Sequence, residues 1–183
     1  MTSDFRKMKL LYLFHLFFDT NSSGSIDKTD FVLAAQNIAK LRGWDTGDVK
    51  YKETEATLMN IWNDLAKTAD LNHDGQISAV EWLNMWEDFA KNPSKPFEWQ
   101  NLYCKFIFEL QDAGGDGAID EEEFTAVHES LGLLKEDCLA AFKYMSRGKP
   151  SITWKEFQEL WKEYFTSENP SDPGNYIFGS ATY

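Results

Sequence analysis

The sequence predicts an all-α protein of four helix–loop–helix units arranged as two packed lobes. Three observations lead there: an acidic twelve-residue pattern occurs three times, apolar residues at helical spacing flank each copy, and a fourth, degraded copy completes an even set. The copies read D-T-N-S-S-G-S-I-D-K-T-D at 19–30, D-L-N-H-D-G-Q-I-S-A-V-E at 70–81 and D-A-G-G-D-G-A-I-D-E-E-E at 112–123. Each has Asp first, Gly sixth, Ile eighth and a carboxylate twelfth.

That spacing matches what Ca2+ requires. The ion takes about six to eight hard oxygen ligands, and a loop that turns its first, third and fifth side chains inward supplies several of them. Gly at the sixth position makes the sharp turn at little steric cost, the seventh residue offers its backbone carbonyl, and the twelfth carboxylate arrives from the following helix. The apolar eighth residue forms a short β-bridge to a neighbouring loop. Three such loops in one short chain, each between amphipathic stretches, identify EF hands.

Taken in order, the first helix is marked by Leu10, Leu11, Phe14, Phe17 and Phe18, and the helix after the first loop by Phe31 and Ile38. Leu58, Ile61, Trp62 and Leu65 precede the second loop, with Trp82, Met85 and Trp86 behind it. Tyr103, Phe106, Ile107 and Leu110 lead into the third loop, and Phe124 and Val127 lead out. These stripes are core faces rather than cofactor contacts, because a helix–loop–helix unit must bury them. Placing Ile152 at the eighth position makes 145–156 a fourth loop, M-S-R-G-K-P-S-I-T-W-K-E. Met145, Arg147 and Lys149 stand where ligands belong, Pro150 replaces Gly, and only Glu156 remains, so this loop is predicted to be structural and metal-free. Leu139 and Phe142 before it, and Phe157, Leu160 and Trp161 after it, continue the helical pattern, and Ile152 is placed to bridge to Ile119.

The candidate ligands rank the three loops. The second is the most complete, with Asp70, Asn72, Asp74, the Gln76 carbonyl, Ser78 and a long Glu81. The first offers Asp19, Asn21, Ser23, the Ser25 carbonyl, Asp27 and Asp30; the shorter Asp30 favours six-coordination, which suits Mg2+ as well as Ca2+. The third has Asp112, Asp116, the Ala118 carbonyl, Asp120 and Glu123, but Gly114 leaves one corner without a side chain, so it is expected to bind more weakly.

Charge and composition agree. The 183 residues carry 18 Lys and Arg against 30 Asp and Glu, a net charge of −12, with 43% hydrophobic and 15% aromatic residues. This balance argues against nucleic acid and an anionic membrane surface as principal partners, and the composition supplies ample core. Ten of the thirty acids sit at ligand positions of the three loops, leaving 20 acids against 18 bases elsewhere, or −2. The expectation is a near-neutral scaffold with three anionic holes. No secretory leader, myristoylation pattern or transmembrane run is read, and Cys104 and Cys138 read as buried thiols, so a cytoplasmic location is expected.

With S-D-F-R-K at 3–7, E-W-L-N-M-W at 81–86, G-N-Y-I-F-G at 174–179 and three active hands followed by a dead one, the chain resembles the invertebrate sarcoplasmic calcium-binding proteins and calexcitins. The resemblance covers nearly the whole chain. It implies an intracellular calcium buffer or sensor of compact type: an N-terminal lobe at 1–92, a C-terminal lobe at 93–165, and a tail at 166–183 packing on the lobes through Tyr176, Ile177 and Phe178. A hydrophobic small molecule or a protein target is an implied partner. Insect juvenile hormone diol kinase, a homologue of this group, implies an alternative: phosphate transfer from a Mg2+-bound nucleoside triphosphate to juvenile hormone diol. The residues argue against it. There is no G-x-x-x-x-G-K-[ST] loop, since Pro150 follows Gly148-Lys149. The fragments D-A-G-G at 112–115 and D-K-T-D at 27–30, which mimic a nucleotide-binding set, lie inside metal loops. His15, His73 and His128 have no zinc-ligand spacing and read as incidental.

Overall fold

The computed structural model describes residues 3–180; the ends of the chain assigned above to the first lobe (1–2) and to the tail (181–183) lie outside them. In chain order the elements are α1 (Asp4–Leu13) with a π-helical turn at Phe14–Phe18, β1 (Ser25–Asp27), α2 (Lys28–Arg42), α3 (Val49–Ala69), β2 (Gln76–Ser78), α4 (Ala79–Lys91), α5 (Glu98–Gln111), β3 (Ala118–Asp120), α6 (Glu121–Ser130), α7 (Lys135–Met145), β4 (Ser151–Thr153), α8 (Trp154–Thr166) and a 3₁₀ turn at Pro173–Tyr176. The fold is all-α apart from two short ribbons. β1 pairs antiparallel with β2, setting Ile26 opposite Ile77. β3 pairs antiparallel with β4, setting Ile119 opposite Ile152. The eighth residue of every loop is therefore the centre of a bridge.

All four helices that leave a loop start in the same way. Asp27, Ser78, Asp120 and Thr153, each the ninth loop residue, are N-caps whose side chains accept an N–H from the first turn. The twelfth carboxylates, Asp30, Glu81, Glu123 and Glu156, reach back to accept the N-cap N–H and complete a capping box. A capping residue of this kind stabilises a helix by about 1 kcal/mol. The same two positions that mark the metal loop thus also nucleate the helix after it.

The chain falls into two units, one of residues 10–103 and the other of residues 3–9 with 104–180. In the first unit the aromatic stripes meet: Phe18 lies 4.9 Å from Trp82 and 4.8 Å from Tyr103, and Trp86 lies 5.8 Å from Trp99, between ring centroids. The Trp82 indole N–H donates to the Leu10 carbonyl at 2.9 Å, so this buried ring leaves no donor unmet. Leu11, Phe17 and Ile38 of the predicted stripes are only half-buried.

In the second unit Phe124, Phe142, Phe157, Trp161 and Phe165 form the core, and Ile177 and Phe178 are buried with them. Phe178 packs 5.6 Å from Trp161 and 4.8 Å from Tyr164. Its neighbour Tyr176 is half-buried and pairs with Tyr144 at 4.5 Å. Gly174 lets the tail backbone press on α8: a Cβ there would lie 2.5 Å from the Leu160 carbonyl oxygen, and the Gly174 N–H donates to Glu163 Oε2. His128, read from sequence as incidental, is buried in α6 with Nδ1 2.8 Å from the Phe124 carbonyl, and burial pushes its pKa down to about 4. Lys9 is also fully buried. Its ammonium donates to the Ser167 carbonyl at 2.7 Å and to Asn175 Oδ1 at 2.9 Å, and the Tyr164 hydroxyl donates to the Lys9 carbonyl. Burial, and then the charge of Arg6, lower its pKa to about 8. Cys104 and Cys138 are free and buried, and burial raises the Cys104 thiol to about 12.

Candidate metal centres

Each loop begins where a helix ends. Asp70 and Asp112 continue their helices by α-type bonds to Ala66 and Phe108, whereas Asp19 closes a wider π turn, its N–H donating to the Phe14 carbonyl at 2.8 Å. The sequence gives no sign of that wider turn, which comes just before the first loop. The sixth residues, Gly24, Gly75 and Gly117, have φ of 89°, 81° and 86°, a region in which a side chain is strained.

Inside the loops the first aspartates do the same thing three times. Asp19 Oδ1 accepts from Ser23 N at 2.8 Å and Oδ2 from Gly24 N at 2.9 Å. Asp70 accepts from Asp74 N at 3.2 Å and Gly75 N at 3.0 Å. Asp112 accepts from Asp116 N at 3.1 Å and Gly117 N at 3.0 Å. The third and fifth side chains fold in beside them: Asn21 Oδ1 accepts from Ser23 N, Asn72 Oδ1 from Asp74 N, and Asp116 Oδ1 from Ala118 N. Ser23 Oγ donates to the Ser25 carbonyl at 3.0 Å, and Asp74 Oδ1 accepts from Gln76 N at 2.9 Å. Ser25 Oγ donates across the ribbon to Gln76 Oε1 at 3.2 Å.

The twelfth carboxylates close the loops. One oxygen accepts from the ninth residue's N–H: Asp27 N on Asp30 at 2.8 Å, Ser78 N on Glu81 at 2.9 Å and Asp120 N on Glu123 at 3.1 Å. The other accepts from the loop entrance: Asn21 N on Asp30 at 3.1 Å, Leu71 N on Glu81 at 3.2 Å and Gly114 N on Glu123 at 2.8 Å. Gly114 is more than a missing ligand, since a Cβ there would stand 3.3 Å from Glu123 Oε1. Burial raises the Asp30 pKa, opposed by the N–H bonds from Asp27 and Asn21. Burial also acts to raise Glu81, but the bonds from Ser78 and Leu71 outweigh it and the net shift is downward.

The donor set fits a hard cation. It is all oxygen, anionic, and held by backbone N–H groups at the three first aspartates. Among the described residues no three His, Cys, Asp or Glu side chains converge tightly enough to hold an ion by themselves. Chelation by these loops therefore draws on the amide, hydroxyl and carbonyl oxygens as well. The fourth loop differs. Glu156 Oε2 accepts from Thr153 N at 2.9 Å in the usual way, but Oε1 accepts from the Lys149 ammonium at 2.5 Å. That bond, with the Thr153 N–H, holds Glu156 down at about 2. From sequence Lys149 stands out only as a misplaced cation, and its pairing with Glu156 emerges from the folded loop.

Comparison with known proteins agrees with this geometry. A family model of the EF hand matches residues 16–33 and 67–86, which contain the first two loops. Sarcoplasmic calcium-binding proteins I, III and IV of Branchiostoma lanceolatum are 31% identical over 181 residues, covering 97% of each chain. Calexcitin-1 of Caenorhabditis elegans is 32% identical over 173 residues, 91% of this chain and 82% of its own. The solved structure of an amphioxus sarcoplasmic calcium-binding protein superimposes with a TM-score of 0.83 at 30% identity, covering 98% of this chain and 99% of that one. These relatives carry calcium-binding or calexcitin names and lend no support to the kinase alternative. The fragments that mimic a nucleotide-binding set, at 112–115 and 27–30, are engaged in the loop hydrogen bonds described above. No helix among the described residues is long and apolar enough to cross a membrane.

Proposed function

The chain belongs to the sarcoplasmic calcium-binding protein and calexcitin family, and from that premise we propose a three-site calcium binder that works as a buffer. Calcium binding through EF hands, in a buffer or sensor role, is common to the family. Asp19, Asn21, Ser23, Asp27 and Asp30 with the Ser25 carbonyl would hold the first ion; Asp70, Asn72, Asp74, Ser78 and Glu81 with the Gln76 carbonyl the second; and Asp112, Asp116, Asp120 and Glu123 with the Ala118 carbonyl the third. The observation that carries it is the threefold repetition of one arrangement, in which the first aspartate accepts two loop N–H groups and the twelfth carboxylate spans loop entrance and helix cap.

The second loop, with the long Glu81, is proposed as the tightest and most selective for Ca2+. The first, ending in the shorter and buried Asp30, is proposed to accept Mg2+ as well. A buffer is favoured over a target-clamping sensor because, in the second unit, Ile177 and Phe178 fill apolar space that a groove would need for a helix. A cytoplasmic location is part of this proposal.

Calorimetric titration with Ca2+ and Mg2+ tests it. Three Ca2+ are expected in the wild type, one fewer in each of Glu81→Gln, Asp30→Ala and Glu123→Gln, and Mg2+ heat that vanishes in Asp30→Ala. Fewer than two Ca2+ in the wild type would sink the assignment. A large Ca2+-dependent rise in hydrophobic-dye binding would favour the sensor role instead.

A further inference from the structure

We infer that Lys149 is a positioning residue for calcium binding: its ammonium closes the fourth loop in place of an ion and so pre-organises the paired loop at 112–123. The inference rests on the proposal that 112–123 is a calcium site. Four loops in one chain supply their own controls. In all four the twelfth carboxylate gives one oxygen to the N–H of the ninth residue, which fixes the helix cap. In the first three the second oxygen takes a backbone N–H from the loop entrance. In the fourth it takes a cation from the chain itself, contributed by the fifth loop position, where a metal ligand stands in the other loops.

The entrance of the fourth loop is correspondingly independent of metal. Ser146 N donates to the Phe142 carbonyl at 2.8 Å and Gly148 N to the Lys143 carbonyl at 3.1 Å, so α7 ends in a closed turn with Arg147 and Gly148 at positive φ. From Lys149 onward the chain enters β4, whose residue Thr153 is the cap that Glu156 holds. β4 pairs with β3 in the register Ala118 to Thr153 and Asp120 to Ser151. Ala118 and Asp120 are two of the proposed ligand positions of the third loop. A strand clasped without metal thus templates the strand that presents those ligands. Part of the ordering that binding requires is already done, which raises affinity at a loop lacking a side chain at Gly114. The first ribbon has no such arrangement, because both of its strands border loops that end in unneutralised carboxylates.

The clasp is partly open to solvent: the Lys149 side chain is 60% exposed, and the pair lines a cavity of about 220 Å³. Its effect on the neighbouring loop is therefore that of an exposed pair, at most about fivefold in affinity. Replacing Lys149 alone would also leave an extra negative charge near the third loop and strengthen Ca2+ binding by attraction. The decisive variant is thus the double Lys149→Met/Glu156→Gln, which conserves net charge while the introduced amide retains an oxygen for the Thr153 cap.

Calcium titration of the full chain, followed by the amide resonances of Gly24, Gly75 and Gly117, reads each loop separately. The double variant is expected to raise the Gly117 midpoint about two- to fivefold, leaving Gly24 and Gly75 at their wild-type midpoints, and Lys149→Arg should titrate as wild type. A Gly117 midpoint unchanged in the double variant, or three midpoints weakened alike, overturns the role of Lys149. A wild-type Gly117 amide that never responds to Ca2+ overturns the calcium assignment of the loop itself, a distinct result.

Discussion

In the first ribbon, Ser25–Asp27 lies against Gln76–Ser78, and both strands belong to loops rich in candidate metal oxygens. In the second, Ala118–Asp120 lies against a strand whose loop is closed by Lys149 and Glu156. The ribbons share register, capping boxes and central isoleucines, so backbone architecture does not distinguish them. The difference is the source of the positive charge. A hand can lose its metal and keep its place in the fold if the chain supplies a cation to the twelfth carboxylate.

The units differ as well in what surrounds the ribbons, and the largest expected effect tests that. Phe178→Ala removes a fully buried ring from the second unit and should cost about 3–5 kcal/mol. Urea denaturation followed at amides of that unit checks it. A loss below about 1 kcal/mol would mean the tail contributes little to that core.

Next comes Lys9. Its folded pKa of about 8 lies below the ordinary lysine value of 10.5, so between those values the unfolded chain binds the additional proton. Stability should therefore rise as pH increases from about 8 to 10.5, by up to about 3 kcal/mol, and be flat below that window as far as this group is concerned. Urea midpoints at a series of pH values should show the rise in wild type and not in Lys9→Met.

Glu81→Gln probes the ribbons directly. It is expected to weaken the second loop about 100-fold, within the wide range that ligand charge sets in such loops. Because loop 19–30 shares its ribbon, the Gly24 midpoint should rise too, whereas Glu123→Gln has no calcium-dependent neighbour to disturb. A Gly24 midpoint indifferent to Glu81→Gln would break the comparison between the ribbons.

The smallest effect is Thr153→Ala, which removes a cap and should cost about 1 kcal/mol. Since the fourth loop is closed by the chain, that cost should be the same with calcium or with chelator; a calcium-dependent cost would contradict metal-free closure.

Much of this is legible in the sequence because metal chemistry is strict about spacing. A twelve-residue period, glycine at the sixth place and isoleucine at the eighth leave few alternatives, and the pairings Ile26 with Ile77 and Ile119 with Ile152 follow from them. Lys9 is less legible. It stands just before the apolar stripe that begins at Leu10, and a lysine there reads as an interruption until Ser167 and Asn175 are seen to accept its hydrogen bonds. His128 likewise reads as incidental until its burial in the core of the second unit is seen.

The sequence by itself determined the four hands, their order, and the candidate oxygen donors that three loops carry and the fourth largely lacks, because each depends on residue type at a fixed local separation. Only the tertiary structure decided that Lys149 reaches Glu156, that the tail buries Ile177 and Phe178, and that a charged lysine lies in a core. Those depend on which side chains meet after the chain has turned back on itself. Composition and local periodicity do not specify such meetings, because one lysine in solvent and another against a carboxylate are the same letter in the sequence.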